Sequence, residues 1–342
     1  MKNDITELET ETLLPENLPK PVNTQLDSYL DSLGDGTRKY EGLETGLGQI
    51  DELIGGLSRF VLLAGMGGVG KSTLALQMAL GVAEQEKIPV IFYSFEMSQR
   101  DVITMALQNK SRKLFRNDLE LKGNAPDLAE DKREEIKKAV TNLRKVTDTF
   151  YIVDSKAMKP HLDLITEQVK AIKTIHQSEK VLIVIDSVQD IVPTDLNQTQ
   201  AEAQTAQKIV ELQLETNATI LAIAQKNKAG VRDGGGYASV MGSVAFIHKP
   251  TTVIELIGGK EALQKAKDSK ALTGDELQKL EESLSQDTKN PDTAYPIFLN
   301  VIKGRNSGYG GVALKYYGAY RYYEVGQERK YSNLYEAARE VY

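Results

Sequence analysis

The chain has 342 residues, of which 41% are hydrophobic and 26% are charged, and its formal net charge at pH 7 is -6. This length and composition predict a globular protein with a sizeable core. The sequence contains no cysteine, which excludes disulfides, zinc-thiolate sites and thiol nucleophiles and makes the cytoplasm the expected location.

The chain begins with an acidic segment, residues 1–22, that lacks hydrophobic periodicity. We expect a disordered tail here, with a partner-binding peptide as the alternative. Residues 23–41 follow as a linker with a short helix, whose apolar face is formed by Leu26, Tyr29, Leu30 and Leu33. No run in the chain reaches the roughly 18 apolar residues needed to cross a bilayer, so we expect no membrane contact.

From residue 42 onward, short apolar runs alternate with helical patterns. The runs are RFVLLA, PVIFYSF, FYIVD, VLIVID, TILAIA, TVIEL and IFLNVI. This alternation predicts an α/β fold with a parallel sheet that is covered by helices on both faces. Residues 258–293 interrupt it with mixed charges and few apolar positions, which predicts a helical insertion. Residues 312–325 predict an antiparallel hairpin that turns at Gly318 and Ala319.

A phosphate-binding motif follows the first apolar run and precedes a helical pattern. The spacing G-x-x-x-x-G-K-[ST] is typical of a P-loop, whose backbone N–H groups and helix N-terminus bind phosphate oxygens. Lys71 is expected to contact the β and γ phosphates and Ser72 to offer its hydroxyl to Mg²⁺. The predicted cofactors are therefore ATP and Mg²⁺. The predicted nucleotide-binding residues are Gly65, Gly67, Gly68, Gly70, Lys71, Ser72 and Thr73.

Two carboxylates end neighbouring strands of the predicted sheet. Asp186 ends the run VLIVID, where an aspartate is costly unless it has a function, and we expect it to bind Mg²⁺. Glu96 follows the run VIFYSF and is expected to take the proton from the attacking water. The alternatives are a turn aspartate at position 186 and a capping or surface glutamate at position 96.

The order of these motifs resembles the RecA-like ATPases, most closely the ATPase domain of DnaB-type replicative helicases and next the RadA-type recombination ATPases. The similarity covers about residues 42–326. It is carried by LETGLGQIDELIGGL, FEMSQRDVITMAL, VIDSVQ, IAQKNK and VIKGRNSGYGG. The resemblance implies a RecA-like fold, with a single ATPase domain over residues 42–342 that contains the helical insertion.

The resemblance also implies how the site works. Gln225 is expected to sense the γ-phosphate, and Lys303 and Arg305 are expected to reach ATP that is bound by a neighbouring subunit of a hexameric ring. The linker helix is expected to dock on an adjacent ATPase domain. From the residues alone, both cations can equally form a solvated strand end, and the helix can fold back on its own domain.

A second loop, after Gln225, is basic and rich in glycine. Its cations Lys226, Lys228 and Arg232 are predicted to bind single-stranded DNA, with an ordinary flexible loop as the alternative. The predicted function is a ring-forming, ATP-dependent DNA translocase or helicase. A RadA-like or RecA-like recombination ATPase and a non-unwinding, ATP-dependent assembly factor are the two alternatives.

Overall fold

The structure is a computed structural model that describes residues 39–119, 129–157, 161–192, 197–226, 245–269, 290–305 and 310–325, with isolated positions between 274 and 284. The chain divides into two units, Met1–Lys39 and Tyr40–Tyr342. Every described residue except Lys39 belongs to the second unit. The predicted tail and linker helix therefore lie outside the described residues, as do 15 of the 36 residues of the predicted helical insertion.

Nine strands form one sheet. The strands are β1 Phe60–Gly65, β2 Val90–Ser94, β3 Phe150–Asp154, β4 Leu182–Asp186, β5 Thr219–Gln225, β6 Thr252–Gly258, β7 Tyr295–Gly304, β8 Gly310–Tyr317 and β9 Tyr322–Val325. The described helices are α1 Gly48–Ile54, α2 Lys71–Glu86, α3 Gln99–Ser111, α4 Arg116–Leu119, α5 Glu130–Arg144, α6 Leu162–His176, α7 Gln198–Thr216, α8 Ala245–His248 and α9 Gly259–Ser269. Short 3₁₀ turns cover Val188–Ile191 and Gly318–Tyr320.

The strand order is β3-β2-β4-β5-β1-β6-β7-β8-β9. Strands β1 to β6 pair in parallel, and β7, β8 and β9 add an antiparallel end. The predicted α/β fold with a mostly parallel sheet and a C-terminal hairpin is thus confirmed. The run IFLNVI differs from the prediction because it lies in antiparallel β7. Its strand is largely buried, and a continuous apolar run does not reveal strand direction.

The core lies on both sides of this sheet, because successive side chains of a strand point to opposite faces. In β1, Val61 and Leu63 pack with the apolar residues of α1, α2 and α3. Phe60, Leu62 and Ala64 pack on the other face with α6, α7 and α8. A helix layer therefore covers each face of the central strands, which explains why their sequences are apolar throughout. In the described part of the chain, no helix is long and apolar enough to cross a membrane.

The parallel strands bring the P-loop, Glu96, Asp186 and Gln225 to the same edge of the sheet. The register pairs Gly65 at the end of β1 with Gln225 at the end of β5. It pairs Ser94 at the end of β2 with Asp186 at the end of β4. The carboxyl ends of these strands form the crevice in which open α/β sheets bind their ligands.

Candidate nucleotide-binding site

The P-loop connects β1 to α2 at this carboxyl edge. Gly68 and Gly70 have φ values of +83° and +86°, a left-handed conformation that favours glycine. A side chain at position 67 would also approach the amide nitrogen of Gln225 to 3.0 Å, and one at position 70 would meet the hydroxyl of Tyr323 at 2.4 Å. The loop backbone is thus closely surrounded, and its glycines leave the N–H groups accessible to phosphate.

Lys71 begins α2 and bends back over the loop. Its ammonium donates hydrogen bonds to the carbonyl oxygens of Gly65 at 3.0 Å and Met66 at 2.9 Å. Burial lowers the pKa of Lys71, and the nearby carboxylates of Asp186 and Glu96 oppose that shift. The ammonium therefore lies against the loop and near both carboxylates, at the place where a P-loop lysine meets phosphate.

Asp186 is buried at the end of β4, with its side chain turned towards the P-loop. Ser72 donates a hydrogen bond to its carboxylate, and burial is the main cause that raises the pKa of Asp186 to about 6. Its Oδ2 atom is buried and has no hydrogen-bond partner among the described residues, a state that is costly unless a ligand satisfies it. A carboxylate and a hydroxyl beside a phosphate site are the oxygen ligands that suit Mg²⁺.

The described residues contain no group of three or more histidine, aspartate or glutamate side chains that would hold a metal by themselves. Mg²⁺ in phosphate-transfer sites usually takes one or two carboxylates together with phosphate oxygens and water. Ser72 and Asp186 therefore fit the ion as partners of a bound nucleotide.

Glu96 is exposed and lies two residues beyond the end of β2. The preceding residue is fixed, because the N–H of Phe95 donates to the carbonyl oxygen of Asp186 at 2.8 Å. After it, Ser98 and Asp101 form a capping box that begins α3. Glu96 is thus held between two anchored points at the mouth of the cleft, close enough to Lys71 to affect its pKa.

Gln225 ends β5 with its side chain beside the P-loop, since its amide nitrogen would be 3.0 Å from a Cβ atom at Gly67. Its carbonyl oxygen accepts a hydrogen bond from the side-chain amide of Gln189 at 3.1 Å. Gln189 therefore connects the segment after Asp186 to the end of β5. The sequence analysis did not single out Gln189, because an amide a few residues beyond a strand carries no motif.

The same cleft has a volume of about 280 Å³ and includes residues that the sequence analysis missed. They come from α3, from the segment that follows it, and from the C-terminal hairpin. These lining residues are Asp101, Thr104, Met105, Gln108, Arg116, Tyr316 and Arg321. Asp101, Thr104 and Met105 belong to the segment FEMSQRDVITMAL, and no motif marks the others. Only the packing of distant elements around the P-loop brings all of them to the cleft.

The hairpin packs directly against the P-loop. The hydroxyl of Tyr323 donates to the carbonyl oxygen of Val69 at 2.6 Å. Its ring stacks on Tyr316 with centroids 4.6 Å apart. The side-chain amide of Gln77 in α2 holds the N–H and the carbonyl oxygen of Tyr323, each at 2.8 Å. The alternating sequence predicted the hairpin itself, but not this contact.

Lys303 and Arg305 lie at the opposite edge of the sheet from the P-loop. Gly304 pairs with Thr252 at the start of β6. The N–H of Arg305 donates to the carbonyl oxygen of Thr251, whose own N–H donates to Phe60 at the start of β1. Phe60 and Gly65 are separated by the length of β1, about 17 Å at roughly 3.3 Å per residue. Arg305 is therefore remote from the phosphate site of its own subunit.

The two cations differ in their surroundings. Arg305 is exposed, and no carboxylate in the described part of the chain is bonded to its guanidinium. The ammonium of Lys303 donates to the carbonyl oxygens of Ile247 at 2.9 Å, His248 at 2.5 Å and Pro250 at 2.7 Å. A role for Lys303 at a neighbouring subunit stays a prediction, and it would require these three bonds to be exchanged.

Lys226 is placed differently from the DNA contact that the sequence predicts. Its side chain is only 1% exposed and is bonded to the carboxylates of Glu255 and Glu261. An ammonium that is enclosed in this way does not face solvent, so the structure contradicts the predicted DNA contact of Lys226. Lys228 and Arg232 lie outside the described residues, and their assignment stays a prediction.

Comparison with known proteins identifies a protein family that matches this chain. A family model described as the DnaB-like helicase C-terminal domain matches residues 42–324. The replicative DNA helicase DnaB of Synechocystis sp. is 24% identical over 190 residues, which are 55% of this chain and 21% of that protein. A probable replicative DNA helicase of Trieres chinensis is 24% identical over 193 residues, or 55% and 40% of the two chains. The chain thus spans less than half the length of these relatives.

Two solved structures share the fold. One, described as an ATPase domain, superposes with a TM-score of 0.72 at 16% identity, covering 91% of this chain and 100% of that one. A DnaB-like replicative helicase, described with its interactions with primase, gives a TM-score of 0.68 at 16% identity and covers 90% and 67% of the two chains. The similarity confirms the predicted RecA-like fold.

Proposed function

Because the chain belongs to the family of DnaB-like helicase C-terminal domains, we propose that it is an ATP-driven motor that moves along or unwinds DNA. The family match confirms the resemblance to DnaB-type helicase ATPase domains that the order of the motifs predicts. In this proposal the chain assembles into a homohexameric ring, hydrolyses ATP between subunits and acts on single-stranded DNA during replication.

The observation that carries this proposal is the separation of Arg305 from the P-loop of its own subunit. Arg305 is exposed and lies at the amino-terminal edge of β1, whereas the phosphate site lies at its carboxyl-terminal edge. An arginine that completes a phosphoryl-transfer site from a neighbouring subunit must be exposed and turned away from its own nucleotide. The position of Arg305 supports this role, in which assembly completes the site.

The other catalytic roles belong to residues of the subunit that binds the nucleotide. Lys71 binds the phosphates, Gln225 contacts the γ-phosphate, and Glu96 takes the proton from the attacking water. When bound, Mg²⁺ would supply positive charge against the phosphate oxygens, and Ser72 and Asp186 are the residues that would hold it. The buried, unpartnered oxygen of Asp186 supports this assignment.

The DNA contacts are proposed for Lys228 and Arg232, which follow closely after the end of β5. Cations beside glycines can approach a phosphate backbone closely. A linker helix within residues 23–41 is proposed to dock on an adjacent subunit, and the tail before it to bind a protein partner.

The test is ATP hydrolysis measured with and without single-stranded DNA, together with mass in solution and strand displacement on a forked duplex. The proposal predicts a hexamer whose hydrolysis rises with single-stranded DNA and which displaces a strand. Filaments with DNA-stimulated hydrolysis would favour a recombination ATPase instead. Hydrolysis that DNA does not change, without strand displacement, would favour an assembly factor.

A further inference from the structure

A buried cluster of three charges lies immediately beside the nucleotide site. Lys226 is the first residue after β5, Glu255 lies in β6 and Glu261 in α9. The ammonium of Lys226 is bonded to Glu255, and it lies 3.1 Å from the carboxylate of Glu261. The side chains of the three residues are 1%, 9% and 14% exposed. We call these residues the Lys226 cluster.

The backbone around Lys226 connects this cluster to the P-loop. The N–H of Lys226 donates to the carbonyl oxygen of Gly65 at 3.0 Å. The same oxygen accepts a hydrogen bond from the ammonium of Lys71 at 3.0 Å. Gln225 precedes Lys226 directly and has its amide beside Gly67. Any shift of Lys226 would therefore move both Gln225 and the support of the catalytic lysine.

The two carboxylates of the cluster keep Lys226 ionised in spite of its burial. Burial by itself would lower the pKa of Lys226, but the two glutamates outweigh burial and raise its pKa above the ordinary value. Removing one partner of a buried ion pair is strongly destabilising, because the remaining charge is left uncompensated. Moving Lys226 away from the two glutamates would leave buried charges uncompensated, so the cluster restricts the end of β5 to its position beside β6 and α9.

We propose that Lys226 is a positioning residue for ATP hydrolysis, which the buried carboxylates of Glu255 and Glu261 anchor so that Gln225 stays beside the P-loop. This inference rests on the proposed function, since it assumes that Gln225 acts on the γ-phosphate. It assigns Lys226 to the chemistry of the nucleotide site, whereas the sequence pattern assigns it to DNA. The residue acts through Gln225 and does not itself touch the nucleotide.

The first test replaces Lys226 with Met, which approximates the length of the side chain and removes its charge. We expect kcat for ATP to fall by about tenfold to 10²-fold without a comparable change in ATP affinity, as a misplaced catalytic group does. Lys226→Arg keeps the charge and should recover most of the rate. Lys226→Met leaves two buried carboxylates without their cation, and this could unfold the protein. A second variant therefore combines Lys226→Met with Glu255→Gln and Glu261→Gln, so that no buried charge of the cluster remains.

The second test is a double-mutant cycle with Gln225→Ala. If Lys226 acts through Gln225, then Lys226→Met should lower kcat little further in the Gln225→Ala background. Full additivity of the two effects would overturn the proposal, because Lys226 would then act independently. An unchanged kcat in the neutral triple variant would overturn it as well.

A matched control is Lys170→Met, which removes the lysine of an exposed ion pair with Glu215 whose side chains are 53% and 54% exposed. This control should leave kcat unchanged. Single-stranded DNA binding by Lys226→Met should keep its salt dependence, whereas a lost phosphate contact would reduce the slope by about 0.7. Such a reduction, with kcat intact, would overturn the proposal and restore Lys226 to the DNA site.

ATP hydrolysis by the unaltered chain is measured in parallel, with and without DNA. This measurement distinguishes a failure of the proposed function from a failure of the role proposed for Lys226. Hydrolysis without any effect of DNA would count against the proposed function and leave the cycle with Gln225 readable. An unaltered chain that does not hydrolyse ATP would overturn both proposals.

Discussion

Two buried charged side chains near the P-loop, Lys226 and Asp186, differ in their partners, and this difference indicates different roles. Lys226 is enclosed with two carboxylates that compensate its charge. Asp186 has one hydrogen bond from Ser72 and one buried oxygen without a partner among the described residues. Lys226 has its counter-charges within the protein, whereas Asp186 lies beside the P-loop with Ser72, where the cation of a bound nucleotide would supply a counter-charge. The contrast favours anchoring for Lys226 and ligand binding for Asp186.

At the scale of single residues, we predict that Lys71→Ala and Glu96→Gln impair ATP hydrolysis in different ways. Lys71→Ala should abolish hydrolysis and weaken ATP binding, because we propose that its ammonium contacts phosphate already in the ground state. Glu96→Gln should keep ATP binding and lose about 10² to 10⁴ in kcat, because a base acts only as the reaction proceeds. The measurements are kcat and the dissociation constant for ATP.

Glu215→Gln is the control for this comparison, since Glu215 lies in the exposed ion pair with Lys170. It should hydrolyse ATP at the unaltered rate. A Glu96→Gln chain that also does so would show that the base has been misassigned.

At the scale of elements, the C-terminal hairpin stabilises the P-loop and the helix that follows it. Tyr323 of β9 is fully buried, and its hydroxyl satisfies the carbonyl oxygen of Val69. The backbone of β9 is bonded in turn to Gln77 of α2. The hairpin therefore fixes both the loop and α2 in one position.

We predict that Tyr323→Phe destabilises the P-loop without removing the ring from the core. The lost hydrogen bond leaves the Val69 carbonyl oxygen without its donor, at a cost of about 1–3 kcal/mol in the free energy of unfolding. The midpoint of urea unfolding should fall, and KM for ATP should rise. The control is Tyr317→Phe, whose hydroxyl bonds to Glu324 within the hairpin. Equal effects of both substitutions would contradict a specific role for the contact.

Helix α2 makes a second close contact, with the segment before α1. A Cβ atom at Gly81 would lie 1.7 Å from the carbonyl oxygen of Thr45. We predict that Gly81→Ala forces the helix and this segment apart and lowers the free energy of unfolding by about 1–3 kcal/mol or more, as overpacking does. Gly48→Ala is the matched control, since nothing lies within 4 Å of its Cβ position. Thermal unfolding of both variants checks the prediction, and a normal melting temperature for Gly81→Ala would contradict it.

The sequence predicts the elements well but not the contacts between distant ones. The runs that form β1 to β6 are apolar because helices cover both faces of the sheet, and the P-loop spacing is local. The burial of Lys226 depends on glutamates 29 and 35 residues further along the chain. In the sequence Lys226 stands beside other cations of a glycine-rich loop, so a solvated residue is the natural prediction. Only the folded arrangement shows that its charge is enclosed.

For the whole molecule, the sheet separates the phosphate site of a subunit from the arginine that we propose to act on a neighbour. The phosphate site lies at the carboxyl edge of β1, and Arg305 lies near the amino edge. Under the proposed function, a single subunit would carry both halves of a site without bringing them together. If Arg305 completes a neighbour's site, its removal should leave ATP binding intact and lower kcat by about 10³ to 10⁵, the usual effect of such an arginine.

The last prediction tests that arrangement by mixing two variants that each hydrolyse ATP slowly, Arg305→Ala and Glu96→Gln. An interface that joins Glu96 of the first variant to Arg305 of the second contains every catalytic residue, although neither variant forms one alone. We therefore expect hydrolysis to rise above both parental rates and to reach its maximum at intermediate mixing ratios, with single-stranded DNA present and subunit exchange verified. The control mixes Arg305→Ala with the double variant Arg305→Ala/Glu96→Gln, which cannot form a complete interface and should stay inactive. A rate that stays at the parental level at every ratio would mean that Arg305 does not act across the interface, because complementation requires the arginine and the glutamate to come from different subunits.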